Sequence, residues 1–424
     1  MLKSLKGLMI ILDGLGDRGI PAFGGKTPLE VAETPNMDRL ARAGQCGLVD
    51  PLLPGIPVGT HTGIALLFGL PRKQALKLAR GPVEASGVGL TSDRHALYLR
   101  CNFATLEKHP EHFAILDRRA GRIDTQTDVL AAAVGQVDLG EGIFASLHPA
   151  TQHRVVLQLE GRGLSARISN TDPGNHFHRL GLLPCLPLDQ RNPKASRTAA
   201  AINRFTERVF QQLDSHSINQ QRRDQGLPPA NGVICRSPGK LPRVRPLLQR
   251  LKLRSAVVSG ERTVLGLGRL MGYTLFENPA FKADKTTDLA AKIQVTEQAL
   301  TEHDLVYLHI KATDLFSHDL DPVGKREILS LIDDAIAPLI SEDRVIAITA
   351  DHSTDSNTGR HTGDPVPSLI YNPCGRVDAS ESFSEKSCSL GGLGRIGSRE
   401  FLLTLLDQMN RLENYRSTDR SFLF

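Results

Sequence analysis

Three apolar runs in this chain end on an aspartate, and that repeated edge constrains the fold more than any other feature. Val345–Ala350 is apolar or small and partly β-branched, without Gly or Pro, and reads as a buried strand. Asp351 and His352 follow it directly, and His361 lies nine residues beyond His352. LMIIL at 8–12 runs into Asp13, and LVYLHIKAT at 305–313 runs into Asp314, with His318 four residues later. Open α/β sheets hold their ligands beyond the carboxyl ends of their strands. Strands that deliver acids and imidazoles to one such edge predict a metal site.

The order of the remaining segments fits an α/β chain with an insertion. A polar Gly/Pro loop follows Asp13, and a helix opens at Thr34-Pro35-Asn36, with Thr34 as its expected cap. A short strand at 46–50 leads to PLLPGIPVG, then Thr60-His61-Thr62-Gly63, then the apolar IALLFG. From about residue 76 the texture changes. RGPVEASGVGL, ALYLRCNFATL and VVLQLEGRGLSARISN read as loops and alternating strands rich in Arg, followed by a helix over 195–214 with one apolar stripe. QQRRDQGLPPANG reads as a hinge or domain edge. After about 245 the alternation resumes: a strand at SAVVSG, helices over 264–272 and 285–301, and the 305–313 strand. A helix over 323–340, the 345–350 strand, a strand at 368–372 and a helix over 398–413 complete it. The expected organisation is a metal-binding catalytic α/β domain from 1–75 and 241–424, with an inserted α+β substrate-binding domain from 76–240. Hinges are expected near 74–79 and 240–246.

Bulk properties exclude other classes. With 424 residues, 40% hydrophobic and 23% charged, the chain is ordinary globular material, long enough for two domains. A net charge of +5, no Trp and few aromatics argue against nucleic acid as partner. The six cysteines are scattered with no paired spacing, which reads as buried thiols in a reducing compartment. The apolar run after Lys6 is too short for a signal peptide core, and no run approaches a membrane span. The expectation is a soluble, cytoplasmic protein with a small anionic substrate; its oligomeric state is not set by these features.

The candidate ligands are Asp13, Asp314, His318, Asp351, His352 and His361. Any one of them alone reads as structural or solvated. Together they suit Zn2+ or Mn2+ better than Ca2+, and six such groups would support two ions, which can clamp both oxygens of an in-line phosphoryl displacement. Thr60 reads either as a loop or cap threonine or as a hydroxyl nucleophile at a helix N-terminus, where backbone N–H groups favour an anion. His61 is a candidate general acid/base or a polar loop residue. Asp117-Arg118-Arg119-Ala120-Gly121-Arg122 packs three guanidiniums into five positions; His153-Arg154, Arg80, Arg236 and Lys240 lie in the same middle region. A charge run is usually a solvated face, but guanidinium forks also grip phosphate and carboxylate.

These motifs carry a resemblance. ILDGLGDR (11–18), GGKTPLEVAETPNMDRLARAG (24–44), RGPVEASGVG (80–89), RCNFATL (100–106) and DRRAGRI (117–123) resemble the cofactor-independent phosphoglycerate mutases of the archaeal type, within the alkaline phosphatase superfamily. NTDPG (170–174), KATDLFSHD (311–319), ADHSTD (350–355) and HTGDPVP (361–367) continue the likeness over nearly the whole chain. The resemblance implies an alkaline phosphatase-like α/β core, with a mostly parallel central sheet, helices on both faces and an inserted substrate domain. It implies two divalent ions, Mn2+ or Zn2+, with Mg2+ or Co2+ as alternatives. By motif position one ion would take Asp13, Thr60, Asp351 and His352; the other would take Asp314, His318 and His361. Thr60 would accept the phosphoryl group of a phosphoglycerate and return it to the neighbouring oxygen, interconverting 2- and 3-phosphoglycerate. Asp117, Arg118, Arg119, Arg122, His153 and Arg154 would grip the substrate. The chain departs from the family around the nucleophile: Thr60 stands for Ser, His61 for an acid, and Ile64 for His. Leu265 takes a position where the family tends to carry Lys, with Arg262 as the candidate substitute. The alternative activity is a phosphatase, phosphodiesterase or phosphotransferase on another small phosphorylated or phosphonate acid.

Overall fold

The computed structural model describes residues 5–90, 95–174 and 181–412. The chain separates into two compact units, Met1–Lys77 with Val244–Phe424, and Leu78–Arg243. In the first unit eight strands form one sheet, in the order Thr274–Phe276, Ser255–Val258, Leu305–Ile310, Lys6–Leu12, Arg344–Thr349, Val366–Tyr371, Gln45–Asp50 and Gly394–Gly397. Val366–Tyr371 is antiparallel to both neighbours, and all other pairings are parallel. Parallel strands need crossovers, and helices Leu289–Glu302 and Pro322–Ile336 supply two of them. Each starts on a side-chain cap: Asp288 accepts from the Ala291 amide and Asp321 from the Gly324 amide.

The central strands are buried on both faces, which is why they read as continuous apolar runs. Leu8, Ile10 and Leu12 pack with Leu308, Ile310, Ile348, Leu329 and Ile332 in one core, while Met9 and Ile11 are equally buried on the opposite face. Register then fixes the functional edge. Leu12 lies opposite Ile310, and Ile11 opposite Thr349, so Asp13, Lys311 and Asp351 leave three adjacent strands almost in step. Behind that edge Lys325 is fully buried. Its ammonium donates to Asp17 Oδ2 at 2.9 Å, to the Gly14 carbonyl at 2.9 Å and to the Thr354 carbonyl at 3.3 Å, joining the loops that follow two of the strands.

The second unit is an α+β module. Ala96–Lys108 pairs antiparallel with Phe113–Asp117, Arg154–Glu160 and Gly232–Gly239, and Phe144–Pro149 continues the sheet beside Arg154–Glu160. Helix Pro193–Asp214, capped by Asn192, closes its own core through Ala199, Ile202, Phe205 and Val209 against Leu99, Cys101, Val155 and Leu157. Five of the cysteines are buried and Cys374 is exposed. No helix among the described residues is long and apolar enough to cross a membrane.

Several local expectations are corrected. RGPVEASG is a helix, Arg80–Gly87, where loops and strands were expected. Gly81 lets that helix lie against the Tyr98 carbonyl, so its glycines mark close packing and not a turn. Thr34 makes no cap bond with its side chain; Asp333 of a neighbouring helix accepts from the Asn36 and Met37 amides instead. The run 305–313 is a strand only to Ile310, after which Ala312–His318 is helical and puts Asp314 and His318 one turn apart. The segment read as a hinge begins with helix Ser217–Asp224. The closing helix ends at Gln408, and residue 413 lies outside the described residues.

Lys325→Met should lower the stability of the first unit by about 3–5 kcal/mol in chemical denaturation, because it strands the buried Asp17 carboxylate.

Candidate metal centre

Thr60 begins helix Thr60–Leu67, with Gly59 extended before it and no side-chain cap. The Thr60 hydroxyl is therefore placed at a helix N-terminus, where the helix dipole favours an anion. The helix reaches the sheet edge through Gly63. A Cβ there would sit 2.0 Å from the Asp351 carbonyl oxygen, so only glycine permits this approach. Thr60 Oγ1 then lies 3.4 Å from His352 Nε2. The same nitrogen is 3.4 Å from Asp13 Oδ1 and 3.3 Å from Asp351 Oδ2. Asp13, Asp351 and His352 are fully buried, and Thr60 is nearly so. A second group adjoins it: His318 Nε2 is 3.3 Å from Asp314 Oδ2, His361 Nε2 is 3.7 Å from Asp314 Oδ1, and the two imidazole nitrogens are 3.2 Å apart. Ligand atoms of Asp314, His318 and His361, and likewise of Asp13, Asp314 and His352, lie within 4.8 Å of one another. Asp314 thus sits at the junction of both groups.

Hydrogen bonds to the opposite ring nitrogens set the tautomers. His361 Nδ1–H donates to the Val58 carbonyl at 2.8 Å, and His318 Nδ1–H donates to the Gly359 carbonyl at 2.7 Å. Thr354 gives its hydroxyl proton to Asp314 Oδ1 at 2.8 Å, so its oxygen is left to accept from His352 Nδ1–H at 3.1 Å. His352 and His361, which burial holds neutral, therefore turn an unprotonated Nε2 toward carboxylate oxygens, whereas the Asp314 carboxylate raises His318 above the usual imidazole range. Lone pairs meeting lone pairs in a buried site have no bond to make with one another. Their separations instead match the ligand–ligand edge of about 3.4 Å expected for a tetrahedral ion with ~2.1 Å bonds. Asp351 Oδ2 has no hydrogen-bond partner among the described residues. The donor set fits divalent metal ions held by mixed carboxylate and imidazole ligands.

The charge balance says the same. Burial pushes Asp351 well above the usual carboxylate range, helped by the neighbouring Asp13. Burial opposes charge on Asp13 and Asp314 most strongly, but Lys311 together with the imidazoles of His309 and His352 around Asp13, and of His318 and His352 around Asp314, holds both below the usual range. Lys311 Nζ donates to Asp13 Oδ1 at 2.9 Å and also contacts Asp314 Oδ2. Burial drives His352 down to about 3, keeping it a neutral ligand. One ammonium thus faces three buried carboxylates.

Three participants were not anticipated. Lys311 and His309 sit inside a run that reads as strand, and Thr354 looks like any loop threonine. Only register and burial reveal where their side chains end. His61 Nε2 lies 3.3 Å from Thr62 Oγ1. Arg262 starts helix Arg262–Leu270, and its guanidinium donates to Glu277 Oε2 at 2.6 Å; Leu265 is buried in the same helix.

The other predicted residues gather in the second unit. Arg118 chelates Asp172, with Nη2 at 2.6 Å from Oδ2, and Arg236 Nη1 approaches the same carboxylate at 3.5 Å. Asp117 Oδ1 accepts from the Arg119 amide at 2.7 Å, tightening a turn in which Ala120, Gly121 and Arg122 all have positive φ. Arg119 is depressed by burial and by Arg122, Arg118 and Arg154 nearby. His153 is driven down to about 3 by burial and by Arg154, Arg119, Arg100 and Arg236. Arg100, another residue not anticipated, is almost fully buried, with Nε 2.9 Å from Glu84 Oε1. Asp117, Arg118, Arg119, His153 and Arg154 are thus parts of one cationic cluster, and Arg122 lies on its exposed rim.

Comparison with known proteins gives consistent relatives. The Metalloenzyme superfamily matches residues 5–408. The chain is 38% identical over 421 residues to a 2,3-bisphosphoglycerate-independent phosphoglycerate mutase of Ignicoccus hospitalis, covering 98% of this chain and 100% of the relative. It is 38% identical over 419 residues to the like-named protein of Thermococcus kodakarensis, with the same coverage. Among solved structures, the PH0037 protein from Pyrococcus horikoshii matches with a TM-score of 0.82 at 32% identity, covering 98% of this chain and 100% of that one. A cofactor-independent phosphoglycerate mutase from Thermoplasma acidophilum matches with a TM-score of 0.67 at 30% identity, covering 96% and 100%.

Gly63→Ala should destabilise the first unit by about 1–3 kcal/mol in thermal or chemical unfolding, because the added methyl meets the Asp351 backbone. His153 should stay neutral through the physiological range. Its folded pKa of about 3 lies below the ordinary value, so the stability that its neutral form contributes is complete above pH ~6.5 and is lost only as pH falls toward 3. Its NMR ring signals should not shift between pH 8 and 5.

Proposed function

Because the chain belongs to the 2,3-bisphosphoglycerate-independent phosphoglycerate mutase family of the Metalloenzyme superfamily, we propose that it interconverts 2- and 3-phosphoglycerate through a phosphothreonine at Thr60. The observation that carries this reading is the placement of Thr60 Oγ1, buried at a helix N-terminus and 3.4 Å from His352 Nε2. In the proposed assignment Asp13, Thr60, Asp351 and His352 hold one ion, and Asp314, His318 and His361 hold the other. Mn2+ or Zn2+ suits these donors. When bound, such ions lower the pKa of a coordinated hydroxyl and offset charge on phosphoryl oxygens.

The chain's own groups do the rest. Thr60 Oγ1 forms the bond to phosphorus as the substrate's ester O–P bond breaks, and the Thr60 proton passes to the departing alkoxide. His61 is the proposed proton carrier. The retained glycerate then attacks through its neighbouring oxygen, which restores Thr60. Asp117, Arg118, Arg119, Arg122, His153 and Arg154 form the proposed grip on the substrate's carboxylate and phosphate in the 76–240 domain, guanidinium forks being suited to both groups. Arg262, in the first unit, is a further proposed substrate contact and would exchange its Glu277 pairing for it. On this reading the proposed role is in glycolysis and gluconeogenesis, and the proposed location is the cytoplasm.

A second reading is favoured by one residue. Ile64 is fully buried where the resembling mutases carry His, which removes a polar group from beside the nucleophile. A phosphatase or phosphotransferase acting on another small phosphorylated acid tolerates that loss more readily than a mutase, which must keep water from its phosphoenzyme.

Incubating Mn2+-loaded protein with 3-phosphoglycerate separates the two. The mutase reading expects 2-phosphoglycerate without free phosphate; release of phosphate alone favours the second. Thr60→Ala should abolish either activity, and undiminished turnover in that variant contradicts the phosphothreonine.

A further inference from the structure

The carboxylate of Asp13 is not held by Lys311 alone. Its second oxygen, Oδ2, lies 3.0 Å from His309 Nε2, and His309 Nδ1 lies 3.1 Å from Ser259 Oγ. All three residues are buried, with Asp13 and Ser259 at 0% and His309 at 1% exposure. The direction of each bond follows from the partners. Asp13 is ionised and can only accept, so His309 Nε2 carries the proton. Ser259 Oγ already accepts from the Glu261 amide at 3.0 Å, so its one proton is free to go to His309 Nδ1. That arrangement leaves no donor of this trio unused.

The far end of this chain is rigid. Glu261 caps helix Arg262–Leu270 through the Thr263 and Val264 amides. Gly260 lies so close to the neighbouring loop that a Cβ would fall 1.5 Å from the Phe281 carbonyl oxygen. Ser259 is therefore pinned on both sides. On His309 itself, the backbone carbonyl is held by the buried Lys292 ammonium at 3.0 Å. These contacts leave the imidazole little freedom to turn.

We infer that Ser259 and His309 form a positioning relay that fixes Asp13 for metal binding, occupying Oδ2 so that Oδ1 is the oxygen turned to His352. The inference rests on the two-ion assignment above. Outer hydrogen bonds of this kind orient metal-ligating carboxylates, and their loss typically weakens metal binding 10–100-fold. The two ring nitrogens of His309 are taken by Asp13 and Ser259, so among the proposed ligands the ring orients Asp13. Its effect should therefore fall on one ion of the two.

The test is calorimetric titration of the full chain with Mn2+, with circular dichroism and melting of each metal-free variant to establish folding. The wild-type protein should bind two ions. His309→Phe and His309→Asn, which remove or misplace the donor, should weaken one of the two sites by about 10–100-fold and leave the other near its original affinity. His309→Gln can present an amide N–H close to the position of Nε2 and should stay within a few-fold of wild type. Ser259→Ala keeps the donor but frees the ring, and should give an intermediate loss. Equal binding by all variants, or equal weakening of both sites, overturns the relay. If the wild-type protein takes up no Mn2+ at all, the two-ion centre itself fails, and the relay with it.

Discussion

The physical constraint on which this molecule turns is the burial of three carboxylates at one sheet edge. Asp13, Asp314 and Asp351 are all within 1% of full burial, and a charged carboxylate in such surroundings is costly unless a cation answers it. Lys311 answers Asp13 and Asp314, and Asp351 is left to be pushed toward its neutral form. His352 and His361 add no protons to the balance, because burial keeps them neutral while Thr354 and Val58 bind their Nδ1–H groups and turn bare Nε2 atoms inward. A site built this way favours added positive charge. The sheet, with its parallel strands in register and its covered faces, is what brings these groups together and keeps water from relieving them.

That charge deficit is also the link to chemistry. Phosphoryl transfer asks for little covalent work from a protein and much electrostatic stabilisation of equatorial oxygens. A centre that takes up two divalent ions changes from acidic to cationic and acquires affinity for a dianion. Thr60, brought in by a helix that only Gly63 allows to approach, sits at its margin. The arginines of the second unit suit the same class of ligand, with Asp172 pairing Arg118 and Glu84 pairing Arg100.

How much of this could be read from the sequence depended on whether the signal was local. The strand ends at Asp13 and Asp351 were legible because buried parallel strands are uninterrupted apolar runs and polar residues stand out at their edges; the strand before Asp314 stops at Ile310, and a helix carries that carboxylate to the same edge. Thr60 was legible from a Gly-rich loop followed by an apolar helix. His309 and Lys311 were not, since a polar residue inside a strand run gives no hint of which neighbour it meets across the sheet. Thr354 and Ser259 matter through hydrogen bonds to residues far along the chain, which no spacing encodes. Arg80–Gly87 does not read as a helix because Gly and Pro ordinarily break helices; here Gly81 allows close contact with the Tyr98 carbonyl. Thr34 was a reasonable cap that lost to Asp333, a carboxylate from a distant helix.

The central claim is that two divalent ions occupy this edge. Anomalous diffraction from crystals grown with Mn2+ tests it most directly. Two strong peaks are expected, one among Asp13, Thr60, Asp351 and His352, and one among Asp314, His318 and His361. A single peak, peaks elsewhere on the surface, or none with Lys311 still seated between Asp13 and Asp314 would contradict it.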